Sequence, residues 1–269
     1  MTKNYPKVAY YFSKISLSAC LMLALHSPTF AIDNSINTNL NNSAITPPPN
    51  QHAEQTAAIL PYSAEYKISS NSLSTNATRT LSKQGDNWLL SQHAKLLFIK
   101  VKEESLIENS AEGIRPLHYE YENNMSSKQD QFINFDWSTH SASDSKYRKP
   151  WSSDISDDTF DQLSGQLKMR EAIINNRLKD EMSLTVVNRG KHKTYTVKEL
   201  GEETISSEAG KLRTVKLLRS RAGSSSETTI WLAKDWNYII VKLEQREDDE
   251  VYKLDLIKAT LDGNTVKGL

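Results

Sequence analysis

The chain has 269 residues, 33 basic and 33 acidic side chains, a 38% hydrophobic share and a single cysteine. Lys and Arg are mixed with Asp and Glu along most of its length, which argues against the basic face that a nucleic-acid binder presents. One cysteine excludes an intrachain disulfide.

The first thirty-one residues carry an address. Lys3, Lys7 and Lys14 precede an apolar run from Ile15 to Leu25, and Thr29-Phe30-Ala31 closes the segment, the layout of a secretory signal peptide cleaved after Ala31. Leu17-Ser18-Ala19-Cys20 resembles a bacterial lipobox and is the alternative, a lipoprotein anchored through Cys20. Lys14 interrupts the apolar stretch a lipobox needs before its cysteine, and the longest apolar run straddles Cys20, so the spacing favours ordinary cleavage. That run is also shorter than the roughly 20 residues a membrane-spanning helix needs. Cleavage removes three lysines and Cys20, leaving a mildly acidic chain with no thiol. From Ile32 to Leu60 the sequence is rich in Asn, Ser, Thr and Gln around Pro47-Pro48-Pro49, which reads as a disordered tether.

From Pro61 to Asp262 the chain fits one domain, with residues 263–269 as a C-terminal tail. Its period is mostly two, the signature of strands with one buried face. Tyr62, Ala64, Tyr66 and Ile68 alternate with polar residues, and Gln84-Gly85-Asp86-Asn87 reads as a turn. Leu117, Tyr119 and Tyr121 alternate in the same way, as do Ile239, Val241 and Leu243, and Tyr252, Leu254 and Leu256. Asn188-Arg189-Gly190-Lys191 reads as a hairpin turn. The pattern predicts an antiparallel meander.

Two stretches break it. Phe160, Leu163, Leu167 and Ile174 follow helical spacing, predicting a helix from Asp157 to Ile174 capped by Ser156. A lone helix in a strand-rich chain buries its stripe most economically against the concave face of a curved sheet. The expected fold is α+β, mainly β, a curved antiparallel half-barrel wrapped around one main helix. The second stretch is Ala94 to Val101, where Leu96 and Phe98 face one way and Leu97, Ile99 and Val101 the other if the segment is one strand. Such a strand is either covered on both sides or lines an apolar groove.

Arg115-Pro116-Leu117 with Tyr119 and Tyr121, Phe135-Asp136-Trp137, and Asp161 with Leu163-Ser164 resemble the DUF3108 family of exported bacterial proteins of unknown function. Tyr195 and Val197, Gly201-Glu202-Glu203, Gly210 with Thr214-Val215-Lys216, and Trp231-Leu232-Ala233-Lys234-Asp235 leading into Tyr238 and Val241 to Gln245 continue the same order. The resemblance runs from Tyr62 to Leu261 and implies no activity. Its fold is in turn similar to the curved sheets of the LolA/LolB lipoprotein carriers, an analogy that does not fix function.

Chemical motifs are sparse. His52, His93, His118, His140 and His192 have no metal-pair spacing, and there is no nucleophile elbow or phosphate-cradling loop. Ser164 reads as a helix residue, His118 as a solvated strand residue, and Glu202-Glu203 as a solvated turn. Asp136, between two aromatics, either points outward or is buried against Arg115 or Arg170 as a structural pin, with Asp161 another candidate partner for Arg170. Trp231 and Trp236 flank a turn, where an aromatic ring can pack or touch lipid.

These readings give a non-enzymatic periplasmic protein with no cofactor and no metal. Leu96, Leu97, Phe98, Ile99, Val101 and Trp231 are the candidate groove for a lipid or lipoprotein acyl chain in the concave face of the sheet. The alternative partner is an envelope protein, and a hydrolase is the third reading. For the leader, Cys20→Ala is expected to leave processing and localisation unchanged; loss of a fatty-acid label or of membrane association in that variant would establish the lipobox instead.

Overall fold

The computed structural model describes residues 58–268 except 71, 72, 111, 112, 126, 179, 248 and 249. The predicted leader and nearly all of the tether lie outside the described residues. The last tether residues are docked: Ile59 is buried, and Asn237 Oδ1 accepts from the Leu60 N–H at 3.0 Å.

Eight strands come first: β1 (Tyr62–Ser69), β2 (Ser74–Gln84), β3 (Asn87–Leu96), β4 (Ile99–Ser110), β5 (Gly113–Asn123), β6 (Gln131–Asp136), β7 (Ser141–Asp144) and β8 (Trp151–Asp154). The polar stretch from Ser138 to Ser153 thus contributes β7 and most of β8. Next come β9 (Thr159–Phe160) and the helix α1 (Gln162–Ile174). The chain closes with β10 (Glu181–Asn188), β11 (Lys191–Ser207), β12 (Gly210–Ser220), β13 (Glu227–Ala233), β14 (Ile240–Glu247), β15 (Glu250–Leu261) and β16 (Asn264–Thr265). The tail is not loose: β16 pairs with β15, and Val266 is buried.

All strands join one sheet, ordered β8 through β1 and then β15 down to β9, with β16 beside β15. Every pairing is antiparallel except β9 with β10. Strand β1 therefore sits at the centre, with Tyr66 opposite Ala77 on one side and Leu256 on the other. Its buried Tyr62, Ala64, Tyr66 and Ile68 alternate with more exposed neighbours, as the period-two pattern requires.

The two edges of this sheet are consecutive in sequence. Only Ile155 to Asp158 separate β8 at one edge from β9 at the other. Such a link spans at most roughly 17 Å, whereas fifteen flat strands would hold the edges roughly 65 Å apart. The sheet must curl. Side chains, not a ladder, stitch the resulting seam: Ser153 Oγ lies 2.8 Å from His192 Nε2, and Gln131 Oε1 accepts from the Arg189 N–H at 3.0 Å. Gly190, at φ 71°, lies so close under the Trp151 ring that a β-carbon there would come within 3.0 Å of it. The result is a curved, unclosed sheet wrapped around α1.

Helix α1 starts later than the sequence pattern predicts. Ser156 and Thr159 form a local turn instead of a cap, because Thr159 and Phe160 are drawn into β9 beside Thr185 and Val186. Asp161 is the cap. Its Oδ1 accepts from the Leu163 N–H (2.8 Å) and the Ser164 N–H (2.9 Å), while Ser164 Oγ accepts from the Asp161 N–H at 2.9 Å. This reciprocal box satisfies helix-end donors that burial would otherwise leave unpaired. The other Asp161 oxygen accepts from Ser105 Oγ of β4 at 2.7 Å, tying the helix start to the sheet. Apart from Lys168 and Ile174, every residue of α1 is buried. Among the described residues no helix is long and apolar enough to cross a membrane.

Asp161→Ala removes both the cap and the Ser105 bond inside the core, so it is expected to destabilise the domain by about 2 kcal/mol or more. Asp161→Asn, which keeps an acceptor, is expected to lose much less. Urea denaturation of the two variants against the parent checks the order.

Candidate functional site

Two regions hold polar groups in unusual company: the interior beneath α1, and the outer corner where β3 turns into β4.

In the interior, positions whose phase points them inward carry charge. Arg79 lies between buried Ala77 and Leu81 on β2, and Glu103 between buried Val101 and Ser105 on β4. They are joined across the sheet and to the helix. Arg79 Nε donates to the Tyr62 hydroxyl (2.8 Å), and its Nη1 donates to Gln166 Oε1 of α1 (2.6 Å). Gln92 Nε2 and the Tyr119 hydroxyl each donate to a Glu103 carboxylate oxygen at 2.6 Å. Burial pushes the Glu103 carboxyl up to about 7, against the pull of those two hydrogen bonds. Burial also raises Asp161. On the next turn of α1, Arg170 Nε donates to the Asn237 carbonyl (2.7 Å) and its Nη2 to the Leu60 carbonyl (3.1 Å). Desolvation holds this guanidinium down to about 10, so it stays charged near neutrality.

There is little room around these groups. The cavity lined by Tyr62, Arg79, Gln166 and Arg170 has about 20 Å³, and another between α1 and β10 to β12 about 10 Å³. Each is of the order of one water site, since a cavity needs roughly 10–15 Å³ to hold one. The cavities described beside α1 on the concave face therefore leave no room for more than a water or so.

The outer corner is different. A cavity of about 570 Å³ crosses β2 to β5, within the roughly 300–1,000 Å³ range of ligand sites. Its lining follows the strand register. Asn76, Lys95, Lys100 and Asn124 form one wall; Glu65, Thr78, His93, Lys102 and Glu122 form the other, in register across five strands. Between them runs the row of Ala77, Ala94, Val101 and Asn123. Lys102 is itself neutralised by Glu104 at 2.9 Å and Glu120 at 3.5 Å.

Immediately past the first wall, the chain reverses. Leu96 pairs with Ile99, so Leu97 and Phe98 are the two residues of a hairpin turn. Their side chains are 72% and 54% exposed. Asn124 clamps this turn, donating from Nδ2 to the Phe98 carbonyl at 2.9 Å and accepting from the Lys100 N–H at 2.7 Å. The clamp brings exposed Met125 alongside.

The family model described as "Protein of unknown function (DUF3108)" matches residues 62–257. The chain belongs to the DUF3108 family. No curated protein matches it. Among solved structures, the DUF3108 domain is similar to a β-barrel-like protein of domain of unknown function DUF1849 from Brucella abortus, with TM-score 0.51 and 9% identity over 76% of this chain and 99% of that one. This is a likeness of fold. A Pseudomonas aeruginosa MucA/MucB complex matches at TM-score 0.31 and 7% identity, over 76% of this chain and 52% of that one. A chain described as a candidate lipoprotein from Parabacteroides distasonis matches at TM-score 0.29 and 11% identity, over 75% of this chain and 96% of that one.

The residues singled out from the sequence fall in several places. Leu96, Leu97, Phe98, Ile99 and Val101 do not form one two-faced strand: they are a hairpin, with Ile99 and Val101 in the core, Leu96 packed against it, and Leu97 and Phe98 outside. The eight-residue apolar run is a turn because its two halves pair with each other. Trp231 is not with them. It is buried on β13, its Nε1 donating to Glu203 Oε1 at 2.7 Å and its ring flanked by Lys216 and Lys242. Glu203 is therefore engaged in a strand rather than lying in a solvated turn.

The pin of Asp136 with Arg115 or Arg170 does not form. Asp136 points outward and accepts from Ser138 and Thr139 of the following turn, bonds that lower its pKa. Arg115 lies over the Trp137 ring at 5.4 Å and 3.9 Å from Asp157 Oδ1. Arg170 uses carbonyl oxygens in place of the carboxylate expected for it. His118 stays on the outer side of β5, 2.9 Å from Asn134 Oδ1. Among the described residues no cluster of His, Cys, Asp and Glu could hold a metal ion.

Arg79 and Glu103 escaped the sequence reading, although strand phase marks both: each stands two residues from buried neighbours on the same face, Ala77 and Leu81 for Arg79 and Val101 and Ser105 for Glu103. Glu103 carries a pH signature. Its folded pKa, about 7, lies above its ordinary 4.5, so the folded state binds the proton more tightly. Raising pH through that window therefore removes stability, on the order of 3 kcal/mol once pH exceeds 7. Glu103→Gln abolishes the titration, and its urea-derived stability is expected to rise relative to the parent between pH 4.5 and 7. Parallel profiles would contradict the assignment.

Proposed function

We infer that this DUF3108 domain is an exported, non-enzymatic protein of the cell envelope that binds an amphiphile, a lipid or the acylated end of a lipoprotein, at the outer β3–β4 corner. The observation that carries the reading is the pairing of a cavity of about 570 Å³ with the exposed Leu97 and Phe98 beside its wall. Lysine stems along the walls and the exposed Leu97 and Phe98 offer apolar surface, while the ammonium groups of Lys95 and Lys100 and the carboxylates of Glu65 and Glu122 suit a charged head. The leader and polar tether support export.

The concave face, where the sequence reading placed an acyl chain, is occupied by α1. A ligand there would have to displace a helix held by Asp161, Gln166 and Arg170. The buried carboxylates Glu103 and Asp161 do not line the large cavity, so a hydrolase there would have to draw on His93, Glu65, Glu122 and Asp130 of its lining. The competing reading, an envelope protein partner, draws on the same exposed side chains.

Mass spectrometry of extracts from natively purified protein is expected to find a co-purifying lipid or acylated peptide. Thr78→Trp, which fills the cavity from an exposed wall position, is expected to abolish it with the thermal midpoint unchanged. A protein that stays empty and takes up no added lipid, while crosslinking in cells recovers one dominant polypeptide, would replace this reading with the protein-partner one.

A further inference from the structure

We propose that the Leu97–Phe98 tip is a membrane-docking element that seats the domain on an anionic bilayer surface, apolar side chains inserted and Lys95 and Lys100 on the lipid head groups. It rests on the reading that this corner is the working end of the domain, and names the surface it works on.

Three observations converge on the tip. First, it concentrates exposed apolar surface. Of the large apolar side chains exposed among the described residues, Leu97, Phe98 and Met125 share this corner and only Leu200 lies elsewhere. Scattered single apolar residues need no explanation; a cluster does.

Second, the turn is conformationally awkward for what it carries. Leu97 has φ 54°, in the left-handed region where a branched side chain is disfavoured and Gly or Asn is at home. A two-residue hairpin turn is ordinarily built with those residues. Here a turn that requires a positive φ carries an exposed leucine, a side chain that the turn itself does not need. Strain of this kind points to a function that uses the side chain.

Third, the charge beneath the tip has one sign. Lys95 and Lys100 face each other in register directly below Leu96 and Ile99. Neither forms an ion pair among the described residues. Their neighbours in that row, Asn76 and Asn124, are neutral, and Lys128 is exposed on the turn after Asn124. Carboxylates begin behind that row, at Glu122, roughly 7 Å farther from the tip, and at Asp130, whose Oδ1 is taken up by the Asn123 N–H at 3.0 Å. An apolar point above a cationic collar complements the hydrocarbon edge and anionic head groups of a bilayer, with the lysine stems spanning the boundary. A soluble protein partner would need no such layering of apolar and cationic tiers along one axis.

Sedimentation with vesicles tests the proposal. The parent domain is expected to bind vesicles of phosphatidylcholine and phosphatidylglycerol (7:3), to bind pure phosphatidylcholine weakly, and to release in 0.5 M NaCl as screening removes the lysine contribution. Leu97→Asn with Phe98→Ser is expected to abolish binding; because Asn suits a positive φ, the thermal midpoint should hold or rise, separating lost docking from lost folding. Lys95→Gln with Lys100→Gln is expected to weaken binding to the anionic vesicles about thirtyfold, about fivefold per lysine, and to leave the weak binding to phosphatidylcholine unchanged. Failure of the parent to bind the anionic vesicles overturns the proposal, as does undiminished binding by the tip variant. The outcome is separable from the ligand reading: vesicle binding by a protein that carries no lipid refutes the ligand and keeps the tip, while a lipid-loaded protein that ignores vesicles does the reverse.

Discussion

The shape of this domain follows from the shortness of one connection. The four residues after Asp154 must bring the chain from one edge of a long sheet to the other. No flat arrangement permits that, so the strands twist and coil until β8 and the β10–β11 turn meet. Once the edges are together, the inward-facing residues of both arms surround a volume that strand side chains do not fill by themselves. The same crossover supplies the filler: it continues through β9 into α1, already inside.

A helix surrounded on every side cannot be amphipathic in the ordinary way. Apart from Lys168, the polar side chains of α1 are inward rather than solvated, and each needs a partner. Gln166 meets Arg79, Arg170 meets the carbonyls of Leu60 and Asn237, and Asp161 meets Ser105. These bonds also fix the helix axially, since the partners lie on β2, on β4, on the strand preceding segment and on the turn after β13. Satisfied polar contacts of this type specify one register of plug against sheet more sharply than apolar contacts, which tolerate sliding.

Strand phase made most of the sheet legible. Tyr62 to Ile68, Tyr119 and Tyr121, and Tyr252 to Leu256 face where their alternation says. The helix was legible as a stripe but not in its start, because the acidic run at Asp157 and Asp158 imitates a first turn while Thr159 and Phe160 are claimed by a parallel pairing with Thr185 and Val186, twenty-six residues on. Tertiary pairing outweighed the local signal. Ala94 to Val101 failed for a different reason: without Gly, Asn or Pro, an apolar run carries no turn mark, and only the register of β3 with β4 reveals the reversal. The same absence hid the corner. The polar interior was hidden because Arg79 and Glu103 were taken singly as charged residues rather than by their place in an alternating row.

Perturbed buried acids commonly direct attention to an active site. Here that inference meets a steric objection. Glu103 and Asp161 have the burial and the raised proton affinity of catalytic groups, but they line neither the outer cavity nor the small ones of about 20 and 10 Å³ described beside the helix, and their oxygens are taken up by Gln92, Tyr119, Ser105 and the helix cap. Their energetics are those of a plug. The features that the fold does not require lie outside: an apolar turn on a strained backbone, uncompensated lysines under it, and a trough behind. A rigid interior is what makes such a corner usable, because Leu97 and Phe98 can be presented to a surface only if the hairpin beneath them does not yield, and the β3–β4 ladder and the Asn124 clamp hold it in place.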